Sequence, residues 1–98
     1  HGDQAVTPEG KVKKYLFERV KATGGTARNF RWLGRRNACD CLIWWKFPVT
    51  AMVEVKRPGQ KPRKGQGGEH RRMRNAGWPV YVVDSEEAVD AFISEMTA

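Results

Sequence analysis

The sequence predicts a single α/β domain in which helices flank the faces of a mixed β-sheet. Three observations support this class. The chain has 98 residues, which permits one compact core of modest size. Its apolar residues alternate between helical and strand spacing in the order α-β-β-β-α-β-α, and it contains no internal repeat or low-complexity segment. We assign residues 7–98 to this domain and residues 1–6 to an N-terminal tail, partly an expression remnant.

The helices are predicted from their ends and their spacing. Thr7-Pro8-Glu9 is typical of a helix N-terminus, and apolar residues continue on one face to about Ala22. A short, very basic helix is predicted over 69–76 and ends at Gly77. Asp84 or Ser85 caps a last helix with apolar residues at helical spacing.

The strands are predicted from apolar runs bounded by turn residues. Residues 26–33 favour a first strand, and 41–45 and 51–56 favour a hairpin joined by a turn at 47–50. Residues 80–83 form a short apolar run typical of a buried strand. The segment from 57 to 65 is rich in proline, glycine and charge, so we expect an exposed basic loop.

Charge is distributed unevenly along the chain. All 18 Lys and Arg residues lie between Lys11 and Arg74, where four acids oppose them, and residues 75–98 contain five acids and no basic residue. Clustered positive charge favours a polyanion, because each neutralised phosphate releases counterions. Nucleic acid is therefore the leading partner, and a solvated basic face is the alternative. No apolar stretch approaches the length of a membrane span, so we expect no membrane partner.

Two cysteines, Cys39 and Cys41, are one residue apart, which is too constrained for an ordinary disulfide. With only two histidines in the chain, a zinc site is not favoured. We expect reduced, largely buried thiols in an intracellular, cytoplasmic protein.

Glu54 and Lys56 stand out because they lie two residues apart in an otherwise apolar strand, so period two places them on one face. Pairing across the hairpin brings Asp40 opposite the 54–57 region. Carboxylate oxygens and the main-chain carbonyl of Val55 suit Mg²⁺ or Mn²⁺. Such an ion polarises a phosphoryl oxygen, and Lys56 can stabilise the charge that develops there. The alternative is a structural salt bridge between Glu54 and Lys56.

Residues 35–93 resemble the virus-type replication-repair nuclease (VRR-NUC) domain, a branch of the PD-(D/E)XK nuclease superfamily. The family pattern is a Pro-Asp that opens a strand, an acid-x-Lys in the next strand and a Gln that leads into a helix. Here Asp40, Glu54-Val55-Lys56 and Gln66 match it in order, type and spacing. Cys39 replaces the usual proline, and Gly67-Gly68 is an unusual helix start. The resemblance implies a restriction-endonuclease-like αβββαβ core.

The resemblance also implies roles for individual residues. Asp40 and Glu54 would be metal ligands, Lys56 the catalytic lysine, and Gln66 an active-site group near the water or the scissile phosphate. Glu9 falls where the superfamily often has an additional acid, although an acid in a first helical turn also complements the helix dipole.

Other side chains are candidates for contact with the nucleic acid. His70 is either a phosphate donor or simply an exposed or packed residue. Of the four tryptophans, Trp44 and Trp45 are expected on opposite faces of their strand, with at least one in the core. The candidates for backbone contacts, with solubility as the alternative reading, are Arg35, Arg36, Arg57, Lys61, Arg63, Lys64, His70, Arg71, Arg72 and Arg74.

The sequence therefore predicts a Mg²⁺- or Mn²⁺-dependent DNA endonuclease of phage or bacterial replication and repair. The resemblance implies a preference for branched or junction DNA and a homodimer. The rival hypotheses are a non-catalytic basic module that binds nucleic acid and a nuclease that acts on RNA.

Overall fold

The computed structural model describes residues 7–29, 41–46, 48–56, 58 and 66–98. Within these ranges, the helices and strands follow one another as the sequence predicts. The elements are α1 (Pro8–Ala22), β1 (Thr26–Asn29), β2 (Cys41–Trp44), β3 (Thr50–Val55), α2 (Gln66–Asn75), β4 (Val80–Val83) and α3 (Glu86–Thr97).

The four strands form one sheet in the order β1-β2-β3-β4. The pairs β1–β2 and β2–β3 are antiparallel, whereas the pair β3–β4 is parallel. A parallel pair requires a crossover connection, and α2 lies within it. The prediction of a mixed sheet flanked by helices is confirmed.

Successive side chains of β3 point to opposite faces of the sheet, and each face packs against its own layer of helices. Ala51, Val53 and Val55 belong to the main core, which contains the buried faces of α1 and α3. Met52 lies on the other face and packs with Met73 of α2. Because strand side chains alternate, Glu54 shares the face of Met52. The sheet therefore presents Glu54 to the layer that contains α2, away from the main core.

The ends of α1 are fixed by specific contacts. The Thr7 side chain accepts a hydrogen bond from the amide of Gly10, as the predicted N-cap requires. At the other end, Gly24 has a φ of 87°, which permits the chain to leave the helix. A Cβ on Gly25 would lie 2.7 Å from Nε1 of Trp45, and that indole donates a hydrogen bond to Thr23. The end of α1 is thus held against the β2–β3 connection.

The start of the second helix differs from the prediction. The second helix begins at Gln66 and not at Glu69. Glycines at 67 and 68 have poor helix propensity, but the packing of Met73 on Met52 and Val80 stabilises α2 as a whole. β1 is described as far as Asn29, and the remainder of the predicted strand, 30–33, lies outside the described residues.

None of the helices in the described ranges combines the length and the apolar character needed to cross a bilayer.

Candidate active site

Glu54 lies near the carboxyl end of β3, and Lys56 directly follows that strand. β3 is an interior strand, with β2 on one side and β4 on the other. In the parallel pair, Glu54 is level with Val82, and the amide of Lys56 donates to the carbonyl of Val83 at 2.9 Å. Lys56 is therefore held by the sheet although it lies beyond the regular strand. This arrangement fixes the backbone from which both side chains project.

The two side chains form a buried ion pair. Nζ of Lys56 lies 3.3 Å from Oε2 of Glu54, and the side chains are only 5% and 7% exposed. Removing two charges from water costs several kcal/mol per ion before their mutual attraction is counted. A chain that needed only stability would do about as well with two apolar residues here. The pair is therefore a candidate for a functional role.

His70 is the third polar residue buried on this side of the sheet. It is 2% exposed and lies one helical turn before Met73, which packs on the sheet. His70 thus lies on the inward face of α2, which supports the packed alternative. We therefore remove His70 from the set of exposed phosphate contacts. This burial is hard to predict from the sequence, because Met73 is the only large apolar residue of α2.

The other candidate metal ligands are placed on different parts of the fold or lie outside the described residues. Val55 is buried in the main core and pairs with Val83. Glu9 is half-buried in the first turn of α1, which packs against the opposite face of the sheet. Asp40 lies outside the described residues, immediately before Cys41, whose partner across the sheet is Val53. Gln66 is the first residue of α2, but its side chain also lies outside the described part.

Among the described residues, no group of three or more His, Cys, Asp or Glu side chains is arranged to hold a metal ion. Glu54 and the carbonyl of Val55 are hard oxygen donors of the kind that Mg²⁺ and Mn²⁺ prefer. They fit such an ion in chemical type. A complete ligand set requires at least one further carboxylate.

The basic residues predicted to contact phosphate divide into three groups. Arg71 and Arg72 are exposed on α2. Arg74 is engaged within the fold, because its Nε and Nη2 both donate to the carbonyl of Val80, at 3.1 and 3.0 Å. We therefore assign Arg74 first to the structure of the α2–β4 connection. The other predicted phosphate contacts lie outside the described residues and are Arg35, Arg36, Arg57, Lys61, Arg63 and Lys64.

Trp44 and Trp45 point to opposite sides, as predicted. Trp45 packs against the main core and its ring lies 6.0 Å from that of Phe92. Trp44 is 37% exposed on the same face of the sheet as Met52. The ring of Trp44 is covered by Arg28, whose guanidinium carbon is 5.9 Å from the ring centroid. Arg28 was missed by the sequence analysis, although period two on β1 places it on that face.

Comparison with known proteins agrees with this geometry. No family model matches the chain. A solved structure described as a VRR_NUC domain superposes with a TM-score of 0.83 at 42% sequence identity, covering 90% of this chain and 96% of that one. A protein of Acyrthosiphon pisum secondary endosymbiont phage 1, named "Putative nuclease p44", is 37% identical over 79 residues, which are 81% of this chain and 85% of the phage protein.

The fold, with an acid-x-Lys on its third strand, is that of the PD-(D/E)XK nuclease superfamily. Within that class, the chain belongs to the VRR-NUC family, as the resemblance in its motifs predicts.

Proposed function

We propose that the protein is a metal-dependent DNA endonuclease that hydrolyses phosphodiester bonds at the α2-covered face of β3. The observation that carries this proposal is the buried pair of Glu54 and Lys56, held 3.3 Å apart on an interior strand of a VRR-NUC fold. The relative named as a nuclease supports the same activity. The excess of basic residues supports a nucleic acid as the substrate.

In this proposal Asp40, Glu54 and the carbonyl of Val55 hold Mg²⁺ or Mn²⁺. Asp40 is the further carboxylate that the site requires, and it adjoins Cys41, which pairs with the neighbour of Glu54. The family resemblance suggests Glu9 as an additional ligand, which would have to reach the ion from α1, on the other face of the sheet. When bound, the ion supplies Lewis-acid polarisation of a phosphoryl oxygen.

The remaining residues orient the substrate and stabilise charge. The backbone amide of Lys56 donates a hydrogen bond to the carbonyl of Val83, and its ammonium is paired with Glu54. From this position the ammonium stabilises negative charge that develops on the phosphoryl group. Gln66, at the start of α2, is proposed to orient the attacking water or the scissile phosphate. Positioning of this kind is where a rigid sheet contributes most to catalysis.

The preferred substrate is proposed to be branched or junction DNA, cut by a homodimer whose two sites are related by a two-fold axis. We place this activity in the cytoplasm of bacterial or phage-infected cells. The substrate preference and the homodimer are proposed from the resemblance to the VRR-NUC family, and the phage source of one relative supports the proposed cellular setting.

The test is a cleavage assay on duplex, single-stranded, flap and four-way-junction DNA, with and without Mn²⁺ or Mg²⁺. We expect metal-dependent cleavage that falls at least about 100-fold in Asp40→Ala and in Lys56→Ala, because each removes stabilisation of the transition state. DNA binding should persist in both. Glu87→Gln, an exposed acid on α3, is the matched control and should cleave normally. Cleavage unaffected by Lys56→Ala would overturn the proposal and leave a basic module that binds nucleic acid.

A further inference from the structure

Among the described residues, α2 covers only part of the sheet face that presents Glu54. Met73 of α2 packs over Met52 and Val80, which lie on β3 and β4. On β1 and β2 the same face carries Arg28 and Trp44, both exposed to solvent. Trp44 is level with Thr26 on one side and Thr50 on the other, and period two from Thr50 leads through Met52 to Glu54. Trp44 and Glu54 therefore project from the same side of one sheet.

Arg28 and Trp44 form a defined pair on this open face. The guanidinium lies over the indole ring at 5.9 Å, a distance typical of a cation–π contact. Nη1 of Arg28 also donates to the carbonyl of Ala27 at 2.9 Å, which restrains the side chain. The neighbouring Trp45 packs against the main core, and Trp44 is the one of the two that is exposed at the surface.

The pair lies at a fixed distance from the candidate active site. Thr50, the partner of Trp44, is four residues from Glu54 along β3. At about 3.3 Å per residue, Trp44 lies about 13 Å from Glu54 along the strand direction. One strand of B-form DNA advances about 3.4 Å per phosphate, and an unpaired strand can extend further per nucleotide, so this separation corresponds to at most about four nucleotides.

We propose that Trp44 and Arg28 form a stacking subsite for an unpaired segment of the nucleic acid substrate, within about four nucleotides of the phosphate that is cleaved. This inference rests on the proposed nuclease function. A flat aromatic ring beside a cation recognises a base and the adjacent backbone, and stacking requires a base that has left the duplex. The subsite therefore selects DNA with a single-stranded portion, such as a flap or a junction arm that opens.

Charge favours nucleic acid over a second copy of the chain as the occupant of this surface. The chain carries a net charge of +7, so two copies repel each other. A second copy at this surface would also have to displace water from the guanidinium of Arg28 without supplying a net negative charge. A polyanion gains from the same charges by releasing counterions. Self-association through Trp44 is the outcome that would oppose this choice.

The experiment measures binding of fluorescently labelled single-stranded, duplex and flap DNA in the presence of EDTA, so that no cleavage intervenes. We expect Trp44→Ala to weaken binding of single-stranded and flap DNA about 5- to 150-fold, in line with about 1–3 kcal/mol for stacking of one base, and to change duplex binding less than about twofold. Trp44→Phe, which keeps an aromatic ring, should retain most of the affinity.

Trp78→Ala is the matched control, because Trp78 is 51% exposed in the α2–β4 connection and lies outside the proposed subsite. It should bind all substrates as the wild type does, and thermal melting should show that every variant is folded. An abasic substitution scanned along the strand should locate one position, within about four nucleotides of the cut, at which Trp44→Ala causes no further loss.

Three results would overturn the subsite: equal loss on duplex and single-stranded DNA, equal loss in Trp78→Ala, or a dimer that dissociates in Trp44→Ala with unchanged DNA affinity. The outcome is separable from that of the nuclease proposal. If cleavage depends on Lys56 but Trp44→Ala has no effect on binding, only the subsite is contradicted. If binding depends on Trp44 but no substrate is cleaved with either metal, only the nuclease is contradicted.

Discussion

The carboxylate of Glu54 and the ammonium of Lys56 lie 3.3 Å apart, and both side chains are almost completely buried. Removing one member leaves the other charge without its ion-pair partner in a low-dielectric site. We expect Glu54→Leu to lower the free energy of unfolding by about 3–5 kcal/mol, measured by urea denaturation. The double variant Glu54→Leu/Lys56→Met should recover most of this loss, because it leaves no buried charge at either position.

A double variant as unstable as Glu54→Leu alone would show that the pair contributes to stability beyond mutual compensation. The predicted recovery, combined with loss of cleavage, would show that the pair is retained for its chemistry at a cost in stability.

Arg71 and Arg74 offer a direct comparison of a surface role with a structural role. Arg74 donates twice to the carbonyl of Val80, so Arg74→Ala should lower the free energy of unfolding by about 1 kcal/mol. Arg71 is exposed on the same helix, and Arg71→Ala should leave stability within about 0.5 kcal/mol. In DNA titrations over a range of salt concentrations, Arg71→Ala should reduce the slope by about 0.9, the contribution of one phosphate contact. An unchanged slope would remove Arg71 from the binding surface.

Gly25 is required by close packing at the end of α1. A Cβ there would lie 2.7 Å from Nε1 of Trp45 and 2.8 Å from Cγ1 of Val20. We expect Gly25→Ala to lower the free energy of unfolding by about 1–3 kcal/mol, measured by thermal or urea denaturation. Because Trp45→Phe removes the nearer atom, it should relieve part of the loss when combined with Gly25→Ala. Identical costs of Gly25→Ala in the two backgrounds would contradict the steric explanation.

Two tyrosines on the face opposite the candidate site are expected to make the free energy of unfolding decrease at alkaline pH. The hydroxyl of Tyr81 donates to Glu95 and that of Tyr15 donates to Asp90, and these hydrogen bonds to carboxylates raise the pKa of both tyrosines above 10. The unfolded chain therefore loses its tyrosine protons at lower pH than the folded chain does. The resulting stabilisation is complete below pH 10 and is lost as the pH rises through the folded-state pKa values.

The measurement is the urea midpoint between pH 8 and pH 11 for the wild type and for Tyr15→Phe/Tyr81→Phe. The double variant should be less stable at pH 8 and should lose less stability as the pH rises. Parallel curves would contradict the assigned hydrogen bonds.

Most of the fold could be predicted from the sequence because its signals are local. The Thr7 cap, the β2–β3 hairpin and the apolar run 80–83 each depend on neighbouring residues, and the structure confirms them. The start of α2 could not be predicted, because Gly67 and Gly68 oppose a helix locally and the sheet stabilises it through Met73. Propensity was overridden there by tertiary packing.

The candidate site was likewise predictable where local spacing decides the structure and not where tertiary packing decides it. Period two correctly placed Glu54 and Lys56 together, since the spacing of a strand fixes which residues share a face. The burial of His70 depends on how α2 rotates onto the sheet, and a helix with one large apolar residue gives no strong indication of that rotation. The pairing of Arg28 with Trp44 depends on the register of β1 with β2, which single-strand patterns do not reveal.

The proposed function requires that Asp40 and Glu54 hold one divalent ion beside Lys56. Thermal unfolding titrated with Mn²⁺ in the absence of DNA, at constant ionic strength, detects such an ion, because an ion that binds the folded state raises its stability by mass action. We expect a saturable rise in the Tm of the wild type that disappears in Asp40→Asn and in Glu54→Gln and persists in Glu87→Gln. The same rise in all four proteins, or no rise in the wild type, would contradict it.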